Sequence, residues 1–229
     1  LWSRVPSVAF PHITCELAGS SCHFGRRPRN AGNMLHEHMQ RHELHASSWP
    51  HARCLDGSRA AYYVRRALAH SSAPRNWVIQ LGGGGQCWDK DSCQEVKKTY
   101  YGSSAAWSET YDGNTFVSSN RRLSPFADWN HAFVPHCGSD QHLGTAGYVH
   151  EWDAVFSGRH IVDAVIGDLS AHHGLQKAAF LLFTGLSAGG IGVNNLADSV
   201  QQMVPAAKLV ALPVAANHFI PMPRSDIYH

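Results

Sequence analysis

The run Phe180-Leu-Leu-Phe-Thr-Gly-Leu-Ser-Ala-Gly-Gly190 constrains this chain more than any other stretch. An apolar segment of strand length ends in Gly185-Leu-Ser-Ala-Gly189, and Ile191 to Val200 follows with helical spacing. In a G-x-S-x-G turn between strand and helix, the serine takes a strained backbone conformation. The flanking glycines let the two elements pass without a Cβ clash. The pattern therefore predicts a nucleophile elbow that lifts the Ser187 hydroxyl above a sheet edge. The plainer alternative is a Gly-rich turn in which Ser187 merely caps the helix.

A second cluster asks for a physical cause. Asn76-Trp-Val-Ile-Gln-Leu81 reads as a short strand and runs directly into Gly82-Gly-Gly-Gly85. A dinucleotide fingerprint starting at Gly82 would place its third glycine at Cys87, and no P-loop lysine follows. The remaining use for such a loop is to bring backbone N–H groups against a reacting carbonyl oxygen. Gly84 or Gly85 would supply one donor and Ala188, the residue after the serine, the other.

Other strands are expected at Ala60–Val64, at Asp128–Cys137 up to Pro135, at Phe180–Thr184 and at Lys208–Leu212. Helices are expected from Ser157 onward and over Gly190–Met203. Strands alternating with helices imply an α/β fold with a doubly wound, mostly parallel sheet whose ligands sit at the strands' carboxyl ends. The polar segment from Asp91 to Arg122 reads as loops and short helices. Its Trp107, Tyr111 and Phe116 are expected to be core anchors rather than ligand contacts.

Residues 1–50 read as an irregular, His-rich extension ahead of a partial catalytic domain over 51–229. One helix is expected within it, over Asn33–His45, which would carry His38, His42 and His45 on one face. That face is read as solvated or packed, because His42-Glu-Leu-His45 is one residue short of a zinc-helix motif. No metal and no cofactor is expected.

Six cysteines, at 15, 22, 54, 87, 93 and 137, form no C-x-x-C pattern and favour disulfides in an oxidising compartment. Cys87 with Cys93 and Cys15 with Cys22 would close short loops, leaving Cys54 for Cys137. The net charge of +2 gives no reason to expect nucleic acid as a partner. The apolar stretch from Val204 to Met222 is broken by Lys208, Pro213 and Pro221, so no transmembrane segment is expected.

These blocks together resemble the pectin acetylesterase and Notum family of carboxylesterases. The resemblance rests on Cys54-Leu-Asp-Gly-Ser58 with Ala61-Tyr-Tyr63, Leu81-Gly-Gly-Gly-Gly-Gln-Cys87 with Cys93, Trp129-Asn130, Pro135-His-Cys137 with Ser139-Asp140, and Gly185-Leu-Ser-Ala-Gly-Gly190. It covers about residues 54 to 212. It implies an α/β-hydrolase fold, a secreted or lumenal history and hydrolysis of an acyl ester on a polysaccharide or a protein. It also implies the pairs Cys54–Cys137 and Cys87–Cys93, with Ser187 as nucleophile and Gly84, Gly85 and Ala188 as oxyanion donors.

The chain departs from the family in three places. Gly82 stands where the family usually has an acidic residue, Gln86 stands about where it has a tryptophan, and Pro213-Val-Ala-Ala-Asn217 replaces an Ala-Asp-Ser-Gly-like turn. The family's triad acid and histidine lie well downstream of the serine. Here the later candidates are Asp198, Asp226, His218 and His229, and the expectation is a C-terminally shortened hydrolase. Two functions follow: an acyl esterase, or an inactive binding subunit whose open sheet edge is covered by another protein chain.

Overall fold

The computed structural model describes residues 38–68 and 70–216, and the backbone of two short strands further upstream. Leu1–Leu35 and His36–His229 form two compact units. In the first, β1 (Ile13–Cys15) pairs antiparallel with β2 (Cys22–Phe24), and the register sets Cys15 opposite Cys22. The expected bond between those two side chains lies outside the described residues.

The second unit is built on a seven-stranded sheet. In chain order its strands are β3 (Met39–Glu43), β4 (Ala61–Arg65), β5 (Asn76–Leu81), β6 (Thr110–Tyr111), β7 (Asn130–Val134), β10 (Phe180–Leu186) and β11 (Lys208–Val214). Across the sheet the order is β11-β10-β5-β7-β4-β3-β6. The four strands from β11 to β7 are mutually parallel, and β4, β3 and β6 continue antiparallel. A separate hairpin joins β8 (Gly147–Val149) to β9 (Ala154–Phe156). Helix α1 spans Lys90–Lys97, α2 Gly158–His172 and α3 Ala188–Met203.

Period-two alternation divides the buried side chains between two cores. Tyr62, Trp77, Ile79, Ala132, Leu181 and Phe183 face α2 and α3. Tyr63, Val78, Phe133 and Leu182 face the other way, where Phe116, Phe126 and Trp129 pack over them. The near-continuous apolar runs of β5 and β10 are what a sheet buried on both faces requires. At the outer edge, β11 pairs only with β10 among the described residues, and Val210 and Leu212 are exposed.

Most expected elements stand where the periodicity put them, with one correction. The helix expected over Asn33–His45 is not formed in its described part, because Met39–Glu43 is a strand held between β4 and β6. Met39 is its one buried residue, while Gln40 and Glu43 are exposed. The three histidines therefore share no helical face. His38 pairs with Asp112, while His42 stacks on Tyr62 and meets His173 edge-on.

Buried polar groups fix the inner strands. The fully buried Asn130 accepts from Arg66 Nε and the Ala67 N–H, and donates to the carbonyls of Pro74 and Asn76. His131 lies between the carbonyls of Val117 and Phe126, with Arg65 beside it. Burial first, and the Arg65 charge second, push its pKa down to about 4. The unfolded chain, titrating near 6.5, therefore binds more protons than the folded one between those limits. Stability is full above pH 6.5, falls as pH drops and levels off below about 4, a loss of roughly 3 kcal/mol from this group. Urea midpoints measured from pH 7 to 4.5 are expected to fall, and His131→Gln should flatten that slope by nearly one proton. An unchanged slope would contradict a neutral, buried imidazole.

Candidate active site

The elbow is built as the sequence requires. Ser187 sits between β10 and α3 with φ 55° and ψ −119°, a conformation L-residues rarely hold, and it is exposed to solvent. Its N–H donates to the Val214 carbonyl at 2.9 Å, and its own carbonyl accepts from the Ile191 N–H at 3.0 Å. The flanking glycines are sterically compulsory. A Cβ at Gly185 would lie 2.3 Å from the Gly189 carbonyl oxygen, and one at Gly189 would lie 2.2 Å from that of Leu81.

The Gly-rich loop continues β5 and lies against this turn. A Cβ on Gly83 would meet the Leu186 carbonyl oxygen at 2.7 Å and Ser187 Cβ at 3.6 Å. Gly84 is half-buried and Gly85 exposed, and a Cβ on Gly85 would meet nothing within 4 Å. Ala188 is the first residue of α3, so its N–H is one of the four that a helix leaves without an internal partner. Ser187, Gly84, Gly85 and Ala188 thus gather at the carboxyl end of the parallel strands.

The turn after β7 supports the loop. The Gly82 N–H donates to the Val134 carbonyl, His142 Nε2 donates to the Gly82 carbonyl at 2.9 Å, and the Cys87 N–H donates to Ser139 Oγ at 3.2 Å. Gln141 reaches Gln86 at 3.0 Å. Two disulfides reinforce the same region, Cys54–Cys137 behind the turn and Cys87–Cys93 between the loop and α1. In the chain-entropy account the longer link contributes about 4 kcal/mol. Within the turn, Ser139, Gln141 and His142 hold positive φ, and Asp140 accepts from the N–H of Gly158 at 2.7 Å and of His142 at 3.2 Å.

In the sequence, Pro135-His-Cys137 and Ser139-Asp140 carry the family resemblance without a role for any one side chain, and His142 carries no reading at all. The usable signal is a polar cluster directly behind a strand and around Cys137. Trp107, Tyr111 and Phe116 are core residues as expected, all packed into the sheet's two faces. No imidazole or carboxylate hydrogen-bonds the Ser187 hydroxyl among the described residues. Asp198 is exposed on α3, and His218, Asp226 and His229 lie outside the described residues.

Comparison with known proteins decides the family. The pectinacetylesterase profile matches residues 34–228. The chain belongs to the pectinacetylesterase family. Relatives of this family member include the palmitoleoyl-protein carboxylesterase NOTUM of Schmidtea mediterranea, 35% identical over 62% of this chain and 27% of its own length. Pectin acetylesterase 7 of Arabidopsis thaliana is 30% identical over 73% of this chain and 42% of its own. The crystal structure of the Wnt deacylase Notum from Drosophila superposes with a TM-score of 0.67 at 28% identity, covering 76% of this chain and 51% of that one. The fold is thus that of the α/β-hydrolases, and the chain spans between about a quarter and a half of these relatives. The described residues contain no helix long and apolar enough to cross a membrane.

Proposed function

We propose that this chain carries the nucleophile half of an acyl-esterase site, acting on an acetyl-type ester of a polysaccharide or protein. Ser187 attacks the ester carbonyl. The N–H groups of Gly84, Gly85 and Ala188 then stabilise the oxyanion that forms, each such donor being worth about 3 kcal/mol in related chemistry. The single observation that carries this reading is the exposed Ser187 held at φ 55° against a loop of glycines. The kinship of the chain to carboxylesterases supports it. Residence in a secretory or lumenal compartment belongs to the same proposal, supported by the Cys54–Cys137 and Cys87–Cys93 bonds.

A serine hydroxyl needs a base to react at neutral pH, and none touches Ser187 among the described residues. An added base can stand in for it. Hydrolysis of 4-nitrophenyl acetate in the presence of free imidazole is expected to run at least about tenfold faster with the wild-type chain than with Ser187→Ala at the same imidazole concentration. Equal rates in the two proteins would refute the assignment.

A further inference from the structure

Among the described residues, the middle of the Gly-rich loop finds none of the hydrogen-bond anchors that its ends possess. Gly82 is tied to Val134 and His142, and Gln86 and Cys87 to Gln141 and Ser139. Between them, what lies beneath Gly84 is the ring of His136. A Cβ on Gly84 would fall 2.5 Å from His136 Nδ1 and 3.0 Å from the Tyr101 ring.

His136 is 1% exposed. Its Nε2 accepts from the Gln141 N–H at 3.1 Å, so the neutral ring carries its proton on Nδ1. Burial, and then the neighbouring His142, keep the ring neutral, with a pKa pushed down to about 3. Nδ1 is therefore a buried donor, and it has no hydrogen-bond partner among the described residues. Native proteins rarely leave such a group unpaired without a functional reason.

A trans peptide is planar, and its C=O and N–H point in opposite directions. If the Gly84–Gly85 peptide turns its N–H outward to meet an oxyanion, the Gly84 carbonyl must turn inward, toward the side where His136 Nδ1–H waits. We infer that His136 is a positioning residue for the oxyanion loop: its Nδ1–H stands ready to donate to the Gly84 carbonyl when that carbonyl turns inward, and so to hold the Gly85 N–H toward the substrate. This inference rests on the esterase reading only for its purpose. The juxtaposition itself stands on the residues named.

The test has two readouts on the full chain, for wild type, His136→Gln and His136→Phe. Glutamine keeps an N–H donor, and phenylalanine keeps the ring without one. Amide hydrogen exchange at Gly84 and Gly85, followed by NMR, is expected to be about tenfold faster in His136→Phe and close to wild type in His136→Gln. Labelling of Ser187 by an alkyl fluorophosphonate, with imidazole present, should slow about tenfold in His136→Phe and be largely rescued in His136→Gln. Exchange at both glycines that is the same in all three proteins overturns the positioning role, whether or not Ser187 reacts. So does a wild-type imidazole spectrum with the proton on Nε2. Altered exchange with no labelling of Ser187 in any protein sinks the esterase reading instead and leaves the loop's support in place.

Discussion

Gly189→Ala is expected to destabilise the protein by more than about 3 kcal/mol, although alanine is the better helix former by about 1 kcal/mol. The reason is backbone meeting backbone. The new methyl would sit 2.2 Å from the Leu81 carbonyl oxygen and 2.8 Å from that of Gly82, and neither can move without pulling β5 and its loop away from α3. Gly57→Ala is the comparison. Gly57 has φ +87° with nothing within 4 Å of the added atom, so backbone strain of about 1 to 2 kcal/mol is its whole cost. Urea unfolding of both variants checks the ranking. A Gly189→Ala protein as stable as wild type would mean that the elbow and the Gly-rich loop are not packed as described.

Asp140→Ala carries the second large effect, a loss of about 3 to 5 kcal/mol. It strips the acceptor from two buried N–H groups, those of Gly158 and His142, each costing about 1 to 3 kcal/mol when left unpaired. The carboxylate is also enclosed by Gly138, Gly144 and Gly158, whose added Cβ atoms would lie 2.7, 2.2 and 2.2 Å from it. It ties the first residue of α2 to a turn in which three non-glycine residues hold positive φ. Without it, that turn relaxes and the His142 support beneath Gly82 goes with it. Asp140→Asn keeps one acceptor and should lose about half as much. Equal losses for the two variants would place the effect in packing rather than in the accepted hydrogen bonds.

What the sequence revealed and what it concealed follow from the same physics. β5, β7 and β10 were legible because a strand buried on both faces reads as a bounded apolar run, and Gly185-Leu-Ser-Ala-Gly189 because so few turns tolerate that spacing. β3 was misread as helix because its short segment offers one buried anchor, Met39, and its pairing partners lie well outside it in the chain. α1 was not singled out because Cys93 is its one buried residue, although Asp89 and Ser92 form the reciprocal cap that starts it. The three-residue strands β8 and β9 are too short for any period to show. The burial of His136, Asp140 and His142 was not legible because polar residues in a turn read as solvated. Their burial comes from a loop more than fifty residues away in sequence, as the His142 to Gly82 bond shows.

Among the described residues, Ser187 is the hydroxyl proposed to attack an acyl carbon. The most direct measurement is peptide mapping by mass spectrometry after exposure of the folded chain to an alkyl fluorophosphonate with imidazole as base. A single adduct on Ser187, abolished by Ser187→Ala, is the predicted result. An unmodified Ser187, or adducts spread across other exposed serines at similar rates, would contradict it.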